Sequence, residues 1–168
     1  MIELYFWPTP NCYKVSILLE ELSVPFTVIP IHIGKGEQYT PEFQSINPNN
    51  KVPALVDHDG PDGKPITIFE SGAIIDYVLE RHKNGGLKPN SDAPEFPFYL
   101  QWYHYCEGMV MPPMNQIVVQ TILLPADRRD EAVLNQAKKL LSKALAPVND
   151  ALAGKDYLIG DFSAADLM

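Results

Sequence analysis

The first 31 residues alternate between a strand pattern, a helix pattern and a second strand pattern, and this order restricts the fold more than any other feature. Residues 2–6 are a short apolar run, and residues 26–31 are rich in β-branched side chains. Between them, four apolar residues follow the spacing of one helix face: Val15, Leu18, Leu19 and Leu22. A strand–helix–strand succession of this length favours two parallel strands joined by a right-handed crossover.

A second block of strands and a helix follows after a polar, turn-rich stretch. Residues 54–57 and 66–69 are short apolar runs on either side of a glycine-containing loop, which predicts an antiparallel hairpin. Ser71 is the expected N-cap of the next helix. Its apolar stripe is Ile74, Ile75, Val78 and Leu79. The N-terminal part therefore has the order βαβ followed by ββα.

The remainder of the chain has helical patterns only. Residues 84–94 contain glycine, proline, asparagine and serine, which is typical of a linker. We expect helices over 95–123 and 127–153, with the first broken at Pro112 and Pro113 because proline lacks an N–H donor. The buried stripe expected for the second is Leu134, Leu141, Leu145, Val148 and Leu152.

The last residues have the form of a capping box. Ser163 is the expected N-cap, and Asp166 stands at N3 in place of the usual Glu. The sequence stops two residues after Asp166, and a helix start without a helix predicts that the helical domain is incomplete. The expected organisation is a domain over 1–83, a linker over 84–94 and an incomplete all-α domain over 95–168.

The turn at residues 9–12 is the candidate active site. It joins the first strand to the first helix, where thioredoxin-like folds place Cys-x-x-Cys, but Thr9 stands at the nucleophile position and Cys12 at the resolving position. An internal dithiol is therefore impossible, and any reactive sulfur has to come from a bound ligand. A helix N-terminus stabilises such a thiolate, with Thr9 and Asn11 beside it. The alternative is that Thr9 or Asn11 only caps the helix.

Two other segments add to this turn. Val52-Pro53 directly precedes a strand, and we expect a cis peptide bond that leaves the Val52 backbone open to an extended ligand. Glu70 and Ser71 lie where a strand ends and a helix begins, so they are suited to the ammonium and carboxylate of an amino-acid head group. An ordinary cap is the alternative for both residues.

Three motifs together resemble a known family. They are Thr-Pro-Asn at 9–11, Asn-Pro-Asn-Asn-Lys-Val-Pro at 47–53 and Phe-Glu-Ser-Gly-Ala-Ile at 69–74. The chain resembles cytosolic glutathione S-transferases over nearly all of its length, most of all the bacterial nu-type group and its fungal relatives. The resemblance implies an α/β thioredoxin-like N-terminal domain, an all-α C-terminal domain and a homodimer with glutathione as co-substrate.

The resemblance also implies roles for individual residues. Thr9 and Asn11 are expected at the glutathione sulfur, Val52 and cis-Pro53 at the cysteinyl part, Glu70 and Ser71 at the γ-glutamyl end, and Gln38 and Lys51 at the glycyl carboxylate. The expected wall of the second-substrate pocket is Tyr103, Cys106, Val110 and Pro113, for which simple core packing is the alternative. Cys12 is either a buried small hydrophobe or a redox group.

Composition narrows the function classes. A formal net charge of −8 disfavours nucleic acid as a partner. The 2 cysteines make no disulfide framework, no apolar run is long enough to cross a membrane, and the histidines follow no metal-ligand pattern, so we expect a cytoplasmic protein without a metal. The reactions expected are attack of the glutathione thiolate on a hydrophobic electrophile or on a disulfide. A non-catalytic glutathione-binding protein is the alternative from another class.

Overall fold

A computed structural model of the chain describes residues 1–82 and 86–168. The chain divides into two compact units, Met1–Gly86 together with Leu167 and Leu87–Asp166 together with Met168. The expected linker over 84–94 lies outside the described residues at 84 and 85. None of the described helices is both long and apolar enough to span a membrane.

The first unit is built on a four-stranded mixed sheet with the order β2-β1-β3-β4. The strands are β1 (Ile2–Phe6), β2 (Phe26–Pro30), β3 (Ala54–Asp57) and β4 (Ile66–Phe69). Strand β1 pairs with β2 in parallel and with β3 in antiparallel orientation, and β3 and β4 form the predicted hairpin. The βαβ-ββα order and the thioredoxin-like fold class are confirmed.

Three helices belong to this unit: α1 (Pro10–Glu21), α2 (Pro41–Ile46) and α3 (Ser71–His82). Residues of the stripes predicted for α1 and α3 are in the core, where Val15, Leu18 and Ile74 are fully buried. The predicted N-cap of α3 is wrong by one residue. Ser71 is the first helical residue, and the carbonyl of Glu70 accepts the first helical hydrogen bond from the N–H of Ile74 at 2.9 Å.

The second unit is helical. Its helices are α4 (Phe96–Tyr105), α5 (Met111–Val118), α6 (Glu131–Ala151) and α7 (Ala164–Leu167). A π-helical segment, Cys106–Val110, separates α4 from α5. Pro112 and Pro113 cannot donate to carbonyls four residues earlier, which explains why α-helical bonding stops before them, as predicted. The capping box is also present, and Asp166 Oδ2 accepts from the N–H of Ser163 at 2.9 Å.

The buried face predicted for α6 is partly wrong. Leu145 is 44% exposed, and the buried residues of this helix are Ala137 and Ala144. The carbonyl of Ala144 accepts a hydrogen bond of 3.2 Å from the hydroxyl of Tyr105. Small side chains allow a neighbouring element to approach the helix backbone closely, which agrees with the burial of Ala137 and Ala144.

Candidate functional site

The register of the sheet brings the predicted site segments to one edge. Tyr5 pairs with Ala54, and Ala54 pairs with Phe69, so the end of β1, the start of β3 and the end of β4 lie side by side. Residues 7–9 follow the end of β1, residues 52–53 precede the start of β3, and residues 70–71 follow the end of β4. The predicted site segments, which are far apart in the sequence, therefore lie next to one another at this end of the sheet.

The segment after β2 reaches the same edge. Pro30 lies opposite Phe6, and the N–H of Ile31 donates to the carbonyl of Phe6 at 2.9 Å. The imidazole of His32 then packs on the indole of Trp7, with ring centroids 4.0 Å apart. The segment 32–51, which contains Gln38, thus begins beside the Thr9 turn and leads directly into Val52.

Thr9 is the N-cap of α1. Its backbone is extended, and Oγ1 accepts a hydrogen bond of 3.3 Å from the N–H of Cys12. The capping alternative is therefore correct as local geometry, and the same hydroxyl also interacts with the thiol of Cys12. The first turn of α1 is made of uncharged residues, so no side chain there offsets the positive end of the helix dipole. An anionic sulfur is favoured at this position.

Two predicted site residues have polar atoms without partners. Within residues 1–82 and 86–168, Oδ1 of Asn11 and Oε1 of Gln38 are buried and accept no hydrogen bond. Leaving such an atom unsatisfied costs about 1–3 kcal/mol. Buried polar atoms in folded proteins normally have partners, so both acceptor oxygens need a hydrogen-bond donor that the described residues do not supply.

Cys12 is a buried thiol. Its side chain is fully buried within its unit. Burial raises the pKa of the Cys12 thiol because it disfavours the charged thiolate, although the Thr9 hydroxyl and the Trp7 backbone act in the opposite direction. The thiol therefore stays protonated at neutral pH, which agrees with a small buried hydrophobe and disfavours a redox role.

The Val52-Pro53 peptide bond is cis, as predicted. Pro53 is buried and Val52 is half-buried. In the part of the chain that the structure describes, neither the N–H nor the C=O of Val52 takes part in a hydrogen bond. Both groups are available to an extended ligand that adds alongside the sheet edge.

Glu70 and Ser71 form the third part of the edge. Glu70 has a φ of 76°, which is uncommon for a residue with a side chain. Its side chain is exposed, while Ser71 is 5% exposed at the N-terminus of α3. An unusual backbone conformation at such a position is typical of functional sites.

Comparison with known proteins decides the family. A sequence model described as "Glutathione S-transferase, N-terminal domain" matches residues 1–80. The Disulfide-bond oxidoreductase YfcG of Escherichia coli K12 is 37% identical over 170 residues, covering 97% of this chain and 77% of that protein. The chain belongs to the glutathione S-transferase family. The resemblance found in the sequence is thereby confirmed.

Solved structures of the family have the same fold. A glutathione transferase from Burkholderia graminis, with two glutathione molecules bound per subunit, has a TM-score of 0.89 and 35% identity over 99% of this chain and 68% of its own. A glutathione transferase from Pseudomonas putida, with one glutathione disulfide bound per subunit, has a TM-score of 0.89 and 31% identity over 99% of this chain and 71% of its own.

The residues expected to form the second-substrate pocket of this glutathione S-transferase lie in the second unit. Tyr103 is on α4, Cys106 and Val110 are in the π-helical segment, and Pro113 is on α5. Three of these four are buried and Cys106 is half-buried. The pocket remains a prediction, because simple core packing accounts for the same burial.

Sequence reasoning missed one histidine at the site. No pattern in the sequence assigned a role to His32, whose ring Nδ1 is buried and has no hydrogen-bond partner among the described residues. Its contact with Trp7 depends on the pairing of β1 with β2, which no local pattern reveals. The only available signal is its position directly after the strand that pairs with the Thr9 turn.

Proposed function

We propose that the protein binds reduced glutathione at this sheet edge and uses the glutathione thiolate to attack an electrophilic second substrate. The supporting observation is that three neighbouring turns each present polar groups to a ligand: the Thr9 hydroxyl, the Val52 backbone and the N-terminus of α3 at Ser71.

Each part of the tripeptide has a partner of suitable chemistry. The sulfur lies at Thr9 and Asn11, and the cysteinyl backbone pairs with Val52 beside Pro53. The γ-glutamyl ammonium pairs with Glu70, and its carboxylate binds Ser71 and the helix N-terminus. The glycyl carboxylate lies near Gln38 and Lys51, where lysine supplies charge without the bidentate fork of arginine.

The chemistry follows from this placement. The Thr9 hydroxyl and the N-terminus of α1 stabilise the glutathione thiolate, so the thiol releases its proton to solvent at neutral pH. The sulfur electron pair then forms a bond to the electrophilic carbon, and the leaving group departs with its bonding electrons or, in an addition, the substrate takes up a proton. The protein supplies position and charge stabilisation and forms no covalent bond itself.

A second candidate reaction is disulfide reduction. It is favoured by the similarity to YfcG and to a neighbour that holds glutathione disulfide. The thiolate attacks one sulfur of the substrate disulfide, giving a mixed disulfide and a free thiolate. A second glutathione then attacks the mixed disulfide, which releases glutathione disulfide and the reduced substrate. Cys12 is buried, so both sulfurs come from glutathione.

Replacing Thr9 tests both reactions. Conjugation and disulfide reduction are assayed in parallel for the wild type, Thr9→Ala and Thr9→Ser, and the thiol pKa of bound glutathione is followed by thiolate absorbance. We expect Thr9→Ala to lower turnover by about 100-fold to 1,000-fold in the operative reaction and Thr9→Ser to retain most of it. A non-catalytic binding protein would instead lose only modest affinity and leave the bound thiol pKa unshifted.

We also propose that the protein is a homodimer with one glutathione site per subunit. Large apolar side chains in the second unit are exposed, including Phe98 at 58% and Met109 at 52%. Singly exposed apolar residues are normal, so the proposal is supported mainly by the family resemblance, which implies a homodimer. Sedimentation equilibrium measures the assembly, and a monomer at micromolar concentration would contradict it.

A further inference from the structure

Asn47 is a buried polar residue in which both backbone groups and both side-chain polar atoms are hydrogen-bonded. It is 2% exposed and follows α2 directly. Its backbone N–H donates to the carbonyl of Phe43 at 2.8 Å, and its own carbonyl accepts from the N–H of Asn50 at 3.0 Å. Its side-chain Oδ1 accepts from the N–H of Asn49 at 2.9 Å, and Nδ2 donates to the carbonyl of Lys51 at 2.7 Å.

These bonds close a turn between α2 and the Val52-Pro53 segment. Within it, Asn50 has a φ of 57°, a left-handed conformation that asparagine tolerates better than most residues. The bond from Asn47 to the N–H of Asn49 stabilises the turn itself. The bond to the carbonyl of Lys51 instead fixes the orientation of the peptide group between Lys51 and Val52.

That second bond has a consequence for Val52. The carbonyl of Lys51 and the N–H of Val52 belong to one planar trans peptide group, so they point in opposite directions. Because the carbonyl is held toward the buried side chain of Asn47, the N–H of Val52 is directed away from it. This is the same N–H that has no hydrogen-bond partner among the described residues.

We infer that Asn47 is a positioning residue that directs the Val52 N–H at the cysteinyl carbonyl of glutathione. The inference rests on the proposed glutathione site, and it assigns a role to a side chain that never touches the ligand. A purely structural asparagine would stabilise the turn without any selective effect on that one hydrogen bond. The two roles therefore differ in how a variant responds to a change in the ligand.

The test combines a protein variant with a ligand variant. Asn47→Ser keeps an oxygen that can accept from the N–H of Asn49, but it is too short to reach the carbonyl of Lys51. The ligand variant is a trans-alkene isostere of glutathione in which the cysteinyl–glycyl peptide bond is replaced, so the cysteinyl carbonyl is absent. Dissociation constants for the four combinations are measured by calorimetry.

We expect wild-type protein to bind glutathione about tenfold more tightly than the isostere. This ratio corresponds to the free energy of one hydrogen bond, the bond from the Val52 N–H to the cysteinyl carbonyl. In Asn47→Ser this ratio falls to about twofold or less, since the carbonyl no longer meets a directed N–H. A ratio that stays about tenfold while both ligands weaken equally would mean a structural role and overturn the inference.

Two controls keep the outcome decisive. Asn49→Ser makes the same chemical change at an exposed side chain two residues away and leaves the ratio at the wild-type value. If Asn47→Ser does not fold, Asn47→Thr removes the same donor while retaining more volume, and the ratio is measured there. Failure of wild-type protein to bind glutathione would refute the proposed function instead, so the two failures are distinguishable.

Discussion

The phenolic hydroxyl of Tyr77 on α3 donates a hydrogen bond of 2.7 Å to Oδ2 of Asp57, the last residue of β3. The other carboxylate oxygen of Asp57 accepts from the N–H of Asp59 at 2.9 Å. Burial alone would raise the pKa of Asp57, but these two hydrogen bonds, the N-terminus and Arg81 outweigh it and lower the pKa. Burial and the same carboxylate raise the pKa of Tyr77 to about 12. This pair connects α3 to the end of β3 that lies away from the proposed glutathione site.

Tyr77→Phe is expected to lower the free energy of unfolding by about 1.5–3 kcal/mol, because it removes a hydrogen bond to a buried charged group. Urea titration at pH 7 measures the change. Tyr39 is 63% exposed, so Tyr39→Phe serves as the matched control and should leave the midpoint unchanged. Equal stability of Tyr77→Phe and wild type would show that the Tyr77–Asp57 hydrogen bond makes no net contribution to the free energy of unfolding.

The stability difference between wild type and Tyr77→Phe should depend on pH. A carboxyl group whose pKa is lowered by folding stabilises the protein above its unfolded pKa, near 3.8, and this contribution is lost as pH falls through the folded value. The difference should therefore be full at pH 7 and decrease on titration below pH 3.8. Urea unfolding of both proteins over this range tests the sign, and a difference that grows toward acid would contradict it.

Three of the four strands were predictable to the residue because short apolar runs are bounded by proline, glycine and polar turns, and β2 ends one residue before its predicted end. Local chemistry also revealed the Thr9 turn and the Ser163 cap. The face of α6 was misassigned at Leu145 because leucine periodicity does not show which residue lies nearest the neighbouring helix. His32 and Asn47 were missed for another reason. Their roles depend on contacts between segments: His32 contacts Trp7 because β2 pairs with β1, and Asn47 contacts Lys51 across the turn before Val52.

Cys12 should resist thiol reagents in the folded protein. Its side chain is fully buried and its pKa is raised by burial, whereas Cys106 is half-buried. We expect a chromogenic disulfide to modify Cys106 in native protein and to reach Cys12 only after unfolding. Cys12→Ala should retain disulfide-reductase and conjugation activity, with Cys106→Ala as the comparison. Loss of the disulfide reaction alone in Cys12→Ala would restore a redox role for this thiol.

Lys51 should act on glutathione affinity and leave turnover unchanged. Its side chain is exposed, so the proposed pairing with the glycyl carboxylate would be screened and worth about 0.2–1 kcal/mol. Lys51→Ala is therefore expected to raise the KM for glutathione by about twofold to fivefold, and Lys51→Arg to lower it because arginine binds a carboxylate with two hydrogen bonds. Steady-state kinetics at low and high salt measures both, since screening should narrow the differences. The control is Lys64→Ala, at an exposed position in the loop between β3 and β4. An equal rise in KM there would mean that Lys51 acts only through the net charge of the protein.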